Sequence, residues 1–545
     1  MTANKKVLKK DDKKKNSIIK VYADLHEGLQ RSPTMDELTS KGKFTKDSLK
    51  HHFSSLGKLE SIARDTFPDK FFDVKIEDLL SQKAIKELRS QIKKHKKFVV
   101  TTAVTGCSVD DNFYQSIKLY CKTNNALLLI LVSSDPAHMK SVGGYGSTDS
   151  KLTNECIVFE DTELNSNLFL STIKLSAKHI DPITGLDRIG QRDGSFIFAS
   201  PKQRLHMVPT SNIKLPHALM TTGAITKPNY NTDMYMSERT AYIANHDHIM
   251  GAIVLEVKNN DEYHFRQVQA DVNGSFVDLG KRYTLDKITD DAPEAIVLGD
   301  WHSGENDPTV TLCTEQMLKQ LKPKNVILHD AFNGLSVNHH EDESQILKAK
   351  RAVKGLLSLE NEIEQLAKDI EWFTSLVSGQ VVMVKSNHDE FLCKHYLQHG
   401  KYTIDPHNHY YAVCLAKAML EGADPLKFAV ENKFKNPKGF TSLKVLWLQR
   451  DDDFLIKDIQ LGAHGDKGPN GSRGSLRGME KAYGNSVSGH SHTPGILRGA
   501  WAVGTSSLLK LSYNSGPSSW LQTHCLVYSD GSRQLINIIN GKWKL

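Results

Sequence analysis

The sequence predicts an α/β protein, α+β overall, on three observations. Short apolar runs at 98–103 and 126–132 flank a helical stretch at 111–123, the pattern of a strand–helix–strand unit. Three further apolar runs, at 295–298, 326–328 and 381–384, each lead directly into Asp, His or Asn. Open α/β sheets carry their chemistry at such strand ends. Finally, 17–70 and 343–378 space their apolar residues three or four apart, as amphipathic helices do.

At roughly 150 residues per domain, 545 residues predict three or four domains. With 39% hydrophobic and 24% charged residues the chain can bury a sizeable core. No apolar run approaches the ~18 residues that span a bilayer, and the N-terminus lacks the apolar segment of a secretory signal. Seven cysteines without a CxxC pair exclude a zinc ribbon or a disulfide framework and point to a reducing, cytoplasmic setting. The net charge of +7 is concentrated: residues 1–16 hold seven lysines against Asp11 and Asp12. This segment reads as a disordered basic tail, either simply solvated or an arm for nucleic-acid phosphates.

Residues 17–70 read as a small helical unit. Ser32 caps a first helix with Pro33 in its first turn, and Thr45 opens a second that carries Leu49, Phe53, Leu56, Leu59 and Ile62. Pro33, Thr34, Leu38, Phe53, Ser55, Leu59 and Ala63 resemble the helical repeat that accompanies many homing and phage endonucleases, with Ser54 in place of the usual glycine. The resemblance implies a helix-turn-helix-like DNA contact by Lys46, Lys50, His51 and His52. A plain helical hairpin with solvated lysines is the alternative.

Residues 71–290 read as a mixed α/β middle domain for assembly or substrate positioning, with strands at 195–199, 252–257 and 264–271. No Gly-rich phosphate loop occurs between 151 and 284. His246 and His248 alternate, so a strand would put both imidazoles on one face, more often as hydrogen-bonded side chains than as ligands.

Residues 291–545 carry the chemistry. The candidate metal ligands are Asp300, His302, Asp330, Asn387, His464, His490 and His492. Oxygen and imidazole donors without thiolates suit hard or borderline divalent ions. Asp300/His302 and His490/His492 stand at i, i+2, which in extended chain places both side chains on one side. Seven donors exceed one tetrahedral ion and fit two ions ~3.5–4 Å apart, as phosphoester cleavage requires.

This order, Asp-x-His, Asp, Asn-His-Asp, His, Gly-His-x-His, resembles that of the calcineurin-like metallophosphoesterases over about 290–510. The resemblance implies a two-sheet metallophosphoesterase sandwich with flanking helices. It implies one ion held by Asp300, His302 and His492 and another by Asn387, His464 and His490, with Asp330 bridging. His388 would be the general acid and Asp389 would orient it. Three positions depart from the family pattern: His329 and Ser386 stand where glycines are usual, and Asn333 replaces an acid. Arg473 and Arg477, in a Gly-rich loop, are candidates to clamp phosphate; His339 and His340 are candidates to touch substrate.

The metal domain is similar to the nucleases that repair double-strand breaks, and the whole layout resembles the tailed-phage DNases that degrade host DNA. That resemblance implies a metal-dependent DNase acting on DNA in the host cytoplasm. It also implies Mn²⁺ first, with Mg²⁺, Fe or Zn as alternatives, and a homo-oligomer. The competing readings are a small-molecule or nucleotide phosphoesterase with a protein-binding N-terminal half, and a DNA-binding scaffold with an idle metal site.

Overall fold

The computed structural model describes residues 2–29, 32–71, 73–133, 147–175, 179–211, 214–228, 238–341, 344–434, 445–511 and 514–545. The chain is mixed α/β, as its sequence predicts.

Residues 2–16, expected as a disordered tail, belong instead to a helix that runs Thr2–Leu29. Lysine is a good helix former, and the second half of this helix is held by packing. Ile18, Ile19 and Tyr22 are buried against Leu38, Leu49, Leu59 and Ala63 of the following helices. The next helix, Met35–Gly42, is capped by Thr34 rather than Ser32: Thr34 accepts from Glu37 N while Glu37 returns a bond to Thr34 N. The stripe from Leu49 to Ile62 is also broken. It spans two helices, Lys46–His52 and Leu56–Thr66, the second capped by Ser55. A buried network fastens this unit to the rest of the chain. Arg64 bonds Glu60 within the unit, and Asp73 and Ser147 beyond it.

The remainder contains the same strand arrangement twice. In one sheet the order is Tyr263–Gln269, Gly251–Val257, Lys97–Val104, Ala126–Ser133, Cys156–Ile157. In another it is Arg533–Asn537, Thr523–Val527, Ala295–Val297, Asn325–Leu328, Val381–Met383, with Val445–Trp447 added at the edge. Pair by pair, both run antiparallel, antiparallel, parallel, parallel.

A ten-stranded sheet shows the same doubling about its centre. There Gln203–Val208 pairs with Gly495–Leu497. Outward on one side lie His217–Thr222, Ser195–Phe198, Leu168–Ser171 and Thr162–Asn165. On the other lie Ala500–Ala502, Ser486–Ser488, Ile459–Gln460 and Leu455–Ile456. Both sides run antiparallel, parallel, parallel, antiparallel. The two halves of the chain are therefore topological copies, joined by one continuous sheet. The boundary expected near 290 falls between the copies, but the halves are not separately packed.

One apolar layer lies between the ten-stranded sheet and the other two sheets. Val297, Ile327 and Val382 meet Val487, Ile496 and Trp501, while Val100, Leu129 and Ile253 meet Leu170, Ile197 and Leu205. Alternation sends Ile296, Leu298, Val326 and Leu328 to the opposite face, where helices Pro308–Leu321 and Leu359–Leu376 cover them. The single long helix expected at 343–378 is two helices, Gln345–Val353 and Leu359–Leu376. Gly355 adopts φ +70° between them, and Ser358 caps the second. His246 ends the helix Glu238–His246, and His248 binds Thr226 O through Nε2 at 2.9 Å. The expected strand bearing both imidazoles is absent, because the chain is helical through His246 and turns at Asp247, which pairs with Lys202.

Candidate metal centre

The candidate ligands converge at the C-terminal ends of the parallel strands of the second copy. Ala295–Val297 leads into Asp300 and His302, Asn325–Leu328 into Asp330, and Val381–Met383 into Asn387. His490 and His492 follow Ser486–Ser488 on the facing sheet.

Two overlapping groups form. Ligand atoms of Asp300, His302, Asp330 and His492 lie within 4.8 Å of one another, as do those of Asp330, His464 and His490. Asn387 Oδ1 completes the second group, 3.0 Å from His464 Nε2 and 3.1 Å from His490 Nδ1. Asp330 belongs to both. His302 Nε2 and His492 Nε2 face each other at 3.0 Å, and His492 Nε2 stands 3.1 Å from Asp300 Oδ2.

These residues fit a pair of cations better than they fit one another. Asp300 Oδ1 and Asp330 Oδ1 are buried without a hydrogen-bond partner among the described residues, a costly state for a carboxylate unless a cation compensates it. Burial holds His302 at about 3, so its ring is neutral and able to ligate. Burial also works against a charged His464, yet Asp330 holds it up at about 9, drawing a proton to where a metal ion would sit. Four ligands carry positive φ: Asp330 at 42°, His302 at 46°, His492 at 54° and His490 at 72°. Such backbone is uncommon for non-glycine residues and clusters at functional sites.

The surroundings explain how the loops are held. Gly489 carries no Cβ because one would lie 2.1 Å from Asp300 Oδ1. Beneath Asp300, His524 Nδ1 accepts from Gly299 N at 3.0 Å, so its Nε2 donates to Thr314 Oγ1 at 2.9 Å. Trp301 donates to Asp369 Oδ2 at 2.8 Å and packs edge-on against Phe373, which ties the Asp300 loop to the helix Leu359–Leu376. His329 lies under the site, its ring beside His464, and burial holds it neutral at about 4.

His388 stands with its ring 4.8 Å from that of His302. Its Nδ1 bonds the Asn333 carbonyl at 2.6 Å. The expected role of Asp389 is corrected here: its carboxylate accepts from Ser386 N at 2.9 Å as part of a capping box, and burial pushes it up to about 6. Ser386 departs from the glycine pattern because it is that helix cap. The residue that orients His388 is Asn333, whose side chain also reaches His302 Nδ1 at 3.3 Å and Glu305 Oε2 at 3.0 Å. In the sequence Asn333 stands out only as a departure from the family pattern; its place five residues after the strand Asn325–Leu328 carries no signal of contact with His388.

Of the expected substrate residues, Arg473 is exposed on the loop that follows His464, whereas Arg477, expected on the same loop, is exposed in the first turn of the helix Leu476–Tyr483. His339 stacks on His395 at 3.8 Å and meets Phe391, which itself packs on His388. His340 lies against His339 at 3.9 Å. This row sits on a π-helix, Phe391–Gln398, an irregularity frequent at functional sites. Lys46 pairs with Asp36 at 3.3 Å, Lys50 is exposed, and His51 and His52 approach Asp11 at 3.8 and 3.6 Å. All four lie in the helical unit.

Among the described residues, the first copy does not repeat this chemistry. Thr102 makes the bonds to Gly223 and Ile225 that Asp300 makes to Gly504 and Ser506. Ser200 and Lys202 follow Phe198 at the spacing by which His490 and His492 follow Ser488. Lys202 puts an ammonium there, bonded to Asp247 at 3.0 Å. Among the described residues no cluster of metal-ligand type forms at this end of the first copy.

Among the described residues, no helix is long and apolar enough to cross a membrane. No family model matches the chain, and no solved structure matches it. The chain is similar to Protein A1 of Escherichia phage T5, with 26% identity over 475 residues, covering 83% of this chain and 84% of that protein. Similarity to a bacteriophage protein along most of both chains, with buried Asp and His groups able to hold metal ions, is compatible with a metal-dependent phage enzyme.

Proposed function

We propose that the second copy is a two-metal phosphodiesterase of the calcineurin-like type and that the protein is a phage DNase acting on host DNA. The observation that carries the reading is Asp330, buried and shared by two ligand groups that both include histidine. Asp300, His302, Asp330 and His492 would hold one divalent ion, and Asp330, Asn387, His464 and His490 the other, with Mn²⁺ the first choice. Two such ions supply a lowered water pKa and charge stabilisation on a phosphoryl group.

The chain's own groups do the rest. His388, with Nδ1 held by Asn333 O, presents Nε2 to the leaving oxygen and delivers a proton there. Arg473 from the adjoining loop and Arg477 from the first turn of the helix after it offer bidentate contacts to phosphate. His339, His340 and Phe391 give the substrate ring faces beyond His388. The helical unit, with Lys46, Lys50, His51 and His52, adds contacts to the DNA backbone.

The test is degradation of plasmid and linear duplex DNA in Mn²⁺, Mg²⁺ or EDTA, beside Asp330→Ala. Metal-dependent cleavage lost in the variant supports the reading. Intact DNA with hydrolysis of a small phosphoester replaces it by a small-substrate phosphoesterase.

A further inference from the structure

Apart from the shared Asp330, the residues that would hold the second ion stand on three different loops. One side chain outside the ligand set joins two of those loops. Arg450 donates from Nη1 to Asp466 Oδ1 at 2.6 Å and from Nε to Glu390 Oε1 at 3.2 Å. Glu390 closes the helical turn Asn387–Glu390 that begins with Asn387, and Asp466 lies two residues after His464. The third loop is tied to the second through the backbone, where Gly489 N, one residue before His490, donates to His464 O at 2.8 Å. The loops of Asn387, His464 and His490 are therefore linked in series, with Arg450 at the first joint.

We propose that Arg450 is a positioning residue for the second ion, setting the separation of Asn387 and His464 and so the affinity for that ion without touching it. The proposal rests on the two-metal reading and deepens it. Three observations support it. The planar guanidinium fork spans two carboxylates that would otherwise repel each other. The side chains of Arg450, Glu390 and Asp466 are 22%, 25% and 9% exposed, so solvent and salt screen the pairs less than they would on an open surface. Lys467 also reaches Glu390, at 2.9 Å from a half-exposed position, but among the described residues only Arg450 spans both acids.

The first ion's loop has supports of its own. Trp301 is held by Asp369, and Gly299 by His524, and neither bond involves Arg450. Loss of Arg450 should therefore act on one ion and spare the other. The duplication supplies the third observation. Arg450 lies three residues after Val445–Trp447, the strand added at the edge of the second copy's sheet, where it pairs with Val381–Met383. The first copy's sheet ends at Cys156–Ile157. Among the described residues the copy without a ligand cluster thus also lacks the strand that delivers this arginine.

The test is manganese titration of the full chain by calorimetry with parallel electron paramagnetic resonance, in the wild type, Arg450→Ala, Asp466→Ala and the double variant. Arg450→Ala is expected to weaken one ion by about 10–100-fold, the usual effect of losing a partner behind a ligand, and to leave the other at its wild-type affinity. The double variant should bind no more weakly than Arg450→Ala alone, because both substitutions open the same joint. Two ions at wild-type affinity in Arg450→Ala, both ions weakened alike, or losses that add in the double variant overturn the proposal. If the wild type binds no manganese, the two-metal reading fails by itself, and hydrogen exchange on the metal-free chain decides the clamp. Faster exchange at 387–390 and 462–466 in Arg450→Ala, with 299–303 unchanged, supports it. Exchange at the wild-type rate in both segments overturns it.

Discussion

His388 is oriented by the carbonyl of Asn333, at 2.6 Å, and the Asn333 side chain simultaneously touches His302, a candidate ligand. One residue thus couples the proposed proton donor to the loop of a candidate metal ligand. His388→Ala is expected to lower kcat by about 10²–10⁴, the usual contribution of general acid catalysis, with metal content unchanged. Asn333→Ala keeps the carbonyl and should cost less in kcat while weakening metal affinity through His302. Steady-state kinetics beside metal analysis separate the two effects.

Gly489 provides a steric test of the site. A methyl group there would overlap Asp300 Oδ1, so Gly489→Ala should abolish metal binding and activity together. Gly28, with open space around its would-be Cβ in the first helix, is the control, and Gly28→Ala should leave both intact. Metal content by atomic absorption checks each variant.

Metal removal should destabilise the chain, because Asp300 Oδ1 and Asp330 Oδ1 are buried without partners among the described residues. Saturating an ion site at 100 times its Kd stabilises by about 2.7 kcal/mol. A thermal scan should show a higher Tm in Mn²⁺ than in EDTA, and no such difference for Asp330→Ala.

The continuous sheet predicts that the halves do not fold apart. Leu205 and Ile496 are fully buried where the copies pair. Separation at 290 would expose both strands as unpaired edges, which aggregate. The two fragments expressed alone should be insoluble, and Leu205→Ala in the intact chain should cost about 2–5 kcal/mol in denaturant unfolding.

Acid should loosen the helical unit. Burial works against the Glu60 carboxylate, but Arg64 outweighs it and holds the group at about 2, below its ordinary 4.5. A depressed folded pKa contributes stability above the ordinary value, and that contribution is lost as pH falls from about 4.5 toward 2. Glu60→Gln should flatten the corresponding part of the pH dependence of the urea midpoint and lower stability at neutral pH.

The convergence of the candidate ligands was legible because strand ends leave short patterns, Asp300-x-His302 and His490-x-His492 among them, that packing alone does not call for. The duplication was not legible. Its first copy shares the strand pairing, which many apolar sequences satisfy, and has Thr102, Ser200 and Lys202 where the second has Asp300, His490 and His492, so no shared chemistry at these positions marks the match. The break at Gly355 was hidden by an apolar stripe that continues in phase across it. The Asp389 assignment erred for a local reason: three residues after a serine, a carboxylate caps the helix more readily than it reaches a neighbouring ring.

The most direct test of the metal centre is manganese stoichiometry of the purified full chain, by calorimetric titration with parallel electron paramagnetic resonance. Two ions per chain with the spectrum of a coupled pair, lost in Asp330→Ala, is the expected result. No bound manganese, or uncoupled ions unaffected by Asp330→Ala, would contradict a shared two-metal site in the second copy.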